Sequence, residues 1–288
     1  MFHREENPVR VKVLTDSTSD LPPAIIQDLD IGVVPIYVRF GETVYRDGVE
    51  LSSDDFYTKL DSSPVHPATS QPPPEDFLKA FRSSAGSSDG IISIHVSSKI
   101  SGTYNSAQLA RKMLEDESPI EVVDSRFNSA GLGLIVIAAA RAAKAGGSLA
   151  EVLAETRRAI GQVNMFGMFN TMKYLALSGR ISKSIATAAD FLDVKPLLTF
   201  KDGEVVRAGF VRTLAKGMER IYDYVSRKVN VQEIAIVHSA HPEWAAQLKS
   251  KLGSLFAEDT IYVSQLGAAL GVHGGKGVLL VALRQPPA

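Results

Sequence analysis

Ile91–Ala107, IISIHVSSKISGTYNSA, is the stretch whose reading decides the fold. Ile91, Ile92, Ile94 and Val96 make a short, near-continuous apolar run, the pattern of a parallel strand covered on both faces. A helix is predicted to follow, carrying Ala107, Leu109, Ala110, Met113 and Leu114. Between strand and helix stand Ser97, Ser98, Ser101 and Thr103, with Gly102 allowing close backbone approach. Free amides crowd the start of such a helix, so the turn favours an anion. A serine before a helix often does no more than cap it, but four hydroxyls on one turn exceed what capping needs.

The same unit recurs on either side. Val11–Leu14 reads as a strand, Thr15-Asp16-Ser17-Thr18-Ser19-Asp20 as a polar turn, and Pro22-Pro23 as the opening of a helix. Ile120–Val123 is again strand-like and ends in Asp124-Ser125. Strands alternating with helices predict an α/β fold with a parallel sheet and flanking helices, whose ligands gather beyond the carboxyl ends of the strands. Asp16 and Asp124 lie there, and carboxylates at such positions more often cap the next turn than act as acids or bases. Five prolines between Pro64 and Pro74 predict an extended loop around Thr69-Ser70-Gln71, a polar triplet on a stiffened backbone.

Ser148 and Glu151 have capping-box spacing and open an amphipathic helix. Beyond Gln162 the pattern becomes α+β, with a hairpin over Pro196–Arg212 turning at Asp202-Gly203. Two domains are therefore expected, 1–162 and 163–288, the second with a mixed sheet. Residues 267–277 read as a glycine-rich loop around His273.

Acids and bases nearly balance at a formal net charge of -1, which gives no electrostatic case for nucleic acid. Cysteine is absent, excluding disulfides and cysteine-bound zinc and fitting a cytoplasmic protein. The amino terminus has no apolar signal core, and Leu132–Ala140 is far shorter than the ~20 residues a membrane span needs. Gly275-Lys276 fails the P-loop pattern, with Leu270 at the first glycine and Gly277 at the hydroxyl position. Gly131-Leu132-Gly133 lacks the third glycine of a dinucleotide fingerprint, and the six histidines show no metal spacing. No G-x-S-x-G elbow occurs, although Ser101 with His273 as base leaves a serine-dependent acyl ester hydrolase as an alternative.

Taken in order, Thr15-Asp16-Ser17, Thr69-Ser70-Gln71-Pro72, Ser97-Ser98-Lys99-Ile100-Ser101-Gly102-Thr103-Tyr104, Asp124-Ser125 and the His273 stretch resemble the DegV family over nearly the whole chain. The resemblance implies a fatty-acid-binding protein without catalysis or cofactor of its own, its acyl chain buried between the two domains. Thr69, Ser101, the Gly102 amides and His273 would hold the carboxylate. Ser70, Arg180 and Arg212 would support the site or face a partner, and that partner would be a separate ATP-binding fatty acid kinase. Lipid exchange would bring transient membrane contact. Lys276 departs from the family pattern, standing where proline is usual and adding a charge beside His273.

Overall fold

The computed structural model describes residues 10–114, 119–180 and 194–286. The first half runs β1 (Val11–Asp16), a 3₁₀ turn, α1 (Pro23–Asp28), β2 (Gly32–Val34), β3 (Tyr37–Phe40), β4 (Thr43–Arg46), α2 (Ser53–Ser62), β5 (Ala68–Ser70) and α3 (Pro74–Ala85). It continues through β6 (Gly90–His95), α4 (Thr103–Lys112), β7 (Ile120–Asp124), α5 (Ser129–Lys144) and α6 (Leu149–Gln162). The second half holds β8 (Val163–Met168), α7 (Lys173–Ser178), β9 (Lys195–Lys201), β10 (Glu204–Val211), α8 (Leu214–Ser226) and β11 (Glu233–His238). It closes with α9 (Pro242–Leu252), β12 (Ile261–Gln265), α10 (Ala268–Gly274) and β13 (Leu279–Arg284).

These strands make the expected α/β architecture: a parallel sheet ordered β2-β1-β6-β7 and a mixed six-stranded sheet ordered β10-β9-β8-β13-β11-β12. A small antiparallel sheet, β4-β3-β5, lies to one side. Every residue of β6 is buried, as its unbroken apolar run required. Its outer face packs on α3 and α4 through Phe77, Phe81, Ala107 and Ala110, while α8 and α9 cover the far side of the second sheet.

Between the sheets lies α5, buried at every position from Ser129 to Ala140. One core joins Val13, Ile92 and Ile94 of the first sheet to Met165, Val237, Leu280 and Ala282 of the second through Leu132, Ile135 and Val136 of this helix. Gly131 and Gly133 have a packing role here. A Cβ on Gly133 would sit 2.8 Å from the Ser19 carbonyl oxygen, so the glycine lets the helix lie against the first polar turn. The Ser148–Glu151 capping box forms as its spacing predicts.

Two local expectations change. The proline-rich segment is not all loop, because Ala68–Ser70 pair with β3. β5 is an edge strand, the position proline-flanked residues tolerate. The glycine-rich stretch around His273 is largely helical, as α10. Its glycines serve contact: a Cβ on Gly271 would lie 2.4 Å from Phe56 Cε1, and Phe56 is fully buried. Gly271→Ala is accordingly expected to lower stability by about 1–2 kcal/mol. Overpacking outweighs the helix propensity gained, and a thermal melt reads the difference. The sequence also predicts two short helices flanking residues 178–182, and the second of them lies outside the described residues.

Candidate functional site

The carboxyl ends of β1, β6 and β7 carry the three polar turns, stitched together from below by Asp16. Its Oδ1 accepts from Thr18 N at 3.1 Å and Thr18 Oγ1 at 2.5 Å; its Oδ2 accepts from Val96 N and His95 Nδ1, both at 3.0 Å. Ser93 Oγ lies 2.6 Å from His95 Nε2, so Ser93, His95 and Asp16 form a serine–histidine–aspartate chain. All three are completely buried, and the chain fixes the strand ends with no route to a substrate. Asp124 likewise caps its own turn, accepting from Arg126 N at 2.8 Å and from Ser98 Oγ at 2.5 Å.

Above this floor lies a polar cavity of about 320 Å³ whose wall includes Thr69, Ser70, Gln71, Ser101, Gly102, Asn128, Arg180 and His273. The structure thus brings together residues from β5, the turn before α4, the start of α5, the end of α7 and α10. Thr69 Oγ1 is 3.0 Å from His273 Nε2 across 204 residues of sequence. Ser101 Oγ is 2.8 Å from Thr103 Oγ1, and Gly102, not Ser101, occupies the cap position of α4. A Cβ on Gly102 would lie 2.0 Å from Gln71 Oε1, the end of a flexible side chain that could swing away, so Gln71 lies against the serine-rich turn. Ser97 Oγ donates to the Gly203 carbonyl at 2.7 Å, tying that turn to the β9–β10 hairpin.

A smaller cavity of about 50 Å³ adjoins the first, walled by Met165, Phe166, Phe169, Leu198, Phe200 and Leu280. Asn128, Leu175, Val205, Leu270 and His273 border both spaces. The result is a polar chamber continued by an apolar one, the division expected of an amphiphile's site.

Burial pushes the His273 imidazole down to about 4, with the charges of Arg180 and His66 acting in the same direction. His273 is therefore neutral at ordinary pH and contributes a hydrogen bond rather than a positive charge. Arg180 supplies a cation at the exposed rim, its Nη1 donating to the Ser178 carbonyl at 2.6 Å. Arg212, just past β10, is exposed and borders neither cavity. Lys276 pairs with Asp61 of α2, so its charge tethers the end of α10 to that helix. Ser101 and His273 make no hydrogen bond to each other, each being engaged with a threonine. Asn128 escaped sequence reasoning. Its only signal is a polar residue between the Asp124-Ser125 turn and a wholly apolar helix.

At the base of α10, Asp20 Oδ1 accepts from Gly267 N at 2.8 Å and Asp47 Oδ1 from Ala268 N at 3.0 Å. Burial raises Asp20 to about 8 and Asp47 to about 6, against the lowering effect of their hydrogen bonds. Among the described residues no cluster of metal-binding side chains occurs, and no helix is long and apolar enough to cross a membrane.

A DegV domain-containing protein from Caldanaerobacter subterraneus subsp. tengcongensis is 33% identical over 269 residues, covering 92% of this chain and 95% of that protein. The fatty-acid-binding DegV family protein from Thermus thermophilus superposes with a TM-score of 0.87 at 32% identity, over 96% of this chain and 100% of the other. DegV, a fatty acid binding protein from Bacillus subtilis, gives 0.88 at 30% identity over the same shares. Residues 10–285 match the family described as "Uncharacterised protein, DegV family". With sheet order, turn chemistry and nearly full-length similarity in agreement, the chain belongs to the DegV family.

Proposed function

We propose that this protein binds a long-chain fatty acid, holding the carboxylate in the polar cavity and the hydrocarbon chain in the apolar one, without performing chemistry on it. The observation that carries this reading is that the two cavities adjoin at Asn128 and His273, with Thr69, Ser70 and Ser101 on one side and, apart from Thr199, whose hydroxyl donates to the Met165 carbonyl, an apolar wall on the other. The fatty acids bound by the Thermus and Bacillus relatives support it. Thr69, Ser101, the Gly102 region and His273 surround the head group, with Ser70 and Arg180 at its edge. In this reading the chain divides into units 1–162 and 163–288, with the ligand held between them. Each methylene transferred from water contributes about 0.8 kcal/mol, so the tail supplies affinity and the turn supplies orientation.

The second part of the proposal is presentation of the carboxylate to a separate ATP-dependent fatty acid kinase. Beside Ser101 lies an open hollow of about 420 Å³, bordered by Ser98, Lys99, Arg180 and Glu204, whose two cations outnumber its one carboxylate and suit an incoming phosphoryl group. Arg212 on the outer face is available to such a partner, and cytoplasmic residence with transient membrane contact completes the picture.

Native mass spectrometry of delipidated protein after incubation with palmitic acid tests binding, and absence of an adduct refutes it. Ser101→Ala and Thr69→Ala are each expected to weaken palmitate binding by about 1–3 kcal/mol, the value of a hydrogen bond to a charged acceptor. Unchanged affinity in both would move the head group elsewhere. Acyl phosphate formation from ATP that requires both this protein and a kinase subunit is the outcome expected of presentation.

A further inference from the structure

Asn128 is the polar residue at the junction of the two cavities that the carboxylate site does not use. Of the five residues bordering both spaces, Leu175, Val205 and Leu270 are apolar, and His273 is engaged with Thr69 through Nε2 while its buried Nδ1 has no partner among the described residues. Asn128 Oδ1 is buried and accepts no hydrogen bond from any described residue. The residue stands at the cap position of α5, where asparagine ordinarily bonds a free amide of the first turn, yet its side chain makes no such bond.

The chain on either side of Asn128 is held in place. The Phe127 carbonyl accepts from Ser97 N at 2.8 Å and from Ser125 Oγ at 3.1 Å. Ser129 is fully buried at φ 44°, and its Oγ donates to Asp20 Oδ2 at 2.6 Å. A non-glycine residue held in the left-handed region is strained, and such strain gathers at ligand sites. A pinned, strained turn that withholds its amide from the helix and lines a cavity is built to meet something in that cavity. A plain acyl chain offers only methylenes there and leaves the amide unmet, which is unfavourable for a buried polar group.

Resting on the fatty-acid reading above, we propose that Asn128 recognises a hydroxyl on the acyl chain close to the carboxyl group, so that the preferred ligand is a 2- or 3-hydroxy fatty acid. A hydroxyl donates and accepts, and so satisfies either end of the amide. Its place is set by Asn128 itself, beyond the head-group donors and before the purely apolar wall.

The test is competition on the delipidated full chain, read by native mass spectrometry, among palmitic, 2-hydroxypalmitic, 3-hydroxypalmitic and 16-hydroxypalmitic acids. The expected result is that one of the 2- and 3-hydroxy acids outcompetes palmitic acid by about tenfold, the scale of one net hydrogen bond. The 16-hydroxy acid, with its hydroxyl in the apolar end, should bind worst. Asn128→Leu should erase the preference among the four acids, and a circular dichroism spectrum and thermal melt matching the wild type show that the variant is folded. Palmitic acid binding as tightly as both near-hydroxylated acids overturns the proposal. So does an Asn128→Leu variant weakened equally toward all four, since the amide would then serve the carboxylate. Failure of every acid to bind refutes the fatty-acid reading itself, and this one with it.

Discussion

Asp16→Ala is expected to remove about 3–5 kcal/mol of stability, the cost of breaking a buried polar pair by deleting one partner. Four donors converge on this carboxylate from Thr18, His95 and Val96, all within the sealed layer beneath the polar cavity. Alanine would leave the His95 Nδ1–H and the Val96 amide without acceptors and without water. Asp16→Asn keeps one carbonyl oxygen and should cost markedly less. Urea unfolding monitored by circular dichroism distinguishes these cases through the transition midpoint, with an unchanged slope showing that the native state is otherwise intact. A loss below about 1 kcal/mol for Asp16→Ala would mean that the strand ends are held by packing alone.

A second large effect is expected from Asp20, whose folded pKa of about 8 lies far above the ordinary carboxylate value of 3.8. Below about pH 4 both folded and unfolded chains carry the proton. Between about pH 4 and 8 only the folded state keeps it, so stability declines as pH rises, at about 1.4 kcal/mol per unit. His273, lowered to about 4, gives the opposite slope between about pH 4 and 6.5, and Asp47 adds to the decline only up to about 6. From about pH 6.5 to 8 Asp20 therefore gives the main slope, opposed only near the lower end by His66, His238 and His273, all lowered from their ordinary value of 6.5. The wild-type chain should lose about 2 kcal/mol across this range, and Asp20→Asn, which cannot ionise, should lose almost none. Denaturant titrations at pH 6.5 and 8.0 on both proteins measure the difference. Equal slopes would show that Asp20 is not protonated in the folded chain.

Much of the fold was legible because β6 and α5 are apolar in ways that local environment dictates. A strand with Ile91, Ile92 and Ile94 in near succession has to be covered twice. The three polar turns were legible for a related reason, since hydroxyls and carboxylates directly after buried strands must find partners. The stretch around His273 was misread as a loop because glycine count speaks only to propensity. Tertiary contact decides in favour of a helix when each glycine admits a neighbour, as Gly271 admits Phe56. β5 was hidden by its prolines, whose effect on pairing depends on whether the strand is central or at an edge. Asn128 was invisible because its significance lies in lacking a partner, which no sequence pattern records. Arg212 shows the converse, since the resemblance that named it carries no information on which way an exposed arginine points.

The placement of β13 also bears on how the chain is made. It follows β8 and β11 in sequence, yet it lies between them in the interior of the six-stranded sheet. Until it leaves the ribosome, β8 and β11 have no shared neighbour, and the face of α5 turned toward them stays open to water. About 140 residues separate the end of α5 from the end of β13, on the order of ten seconds of translation during which the buried apolar stretch of α5 up to Ala140 waits for its cover. A nascent chain of this protein should therefore need protection by a chaperone until β13 has emerged.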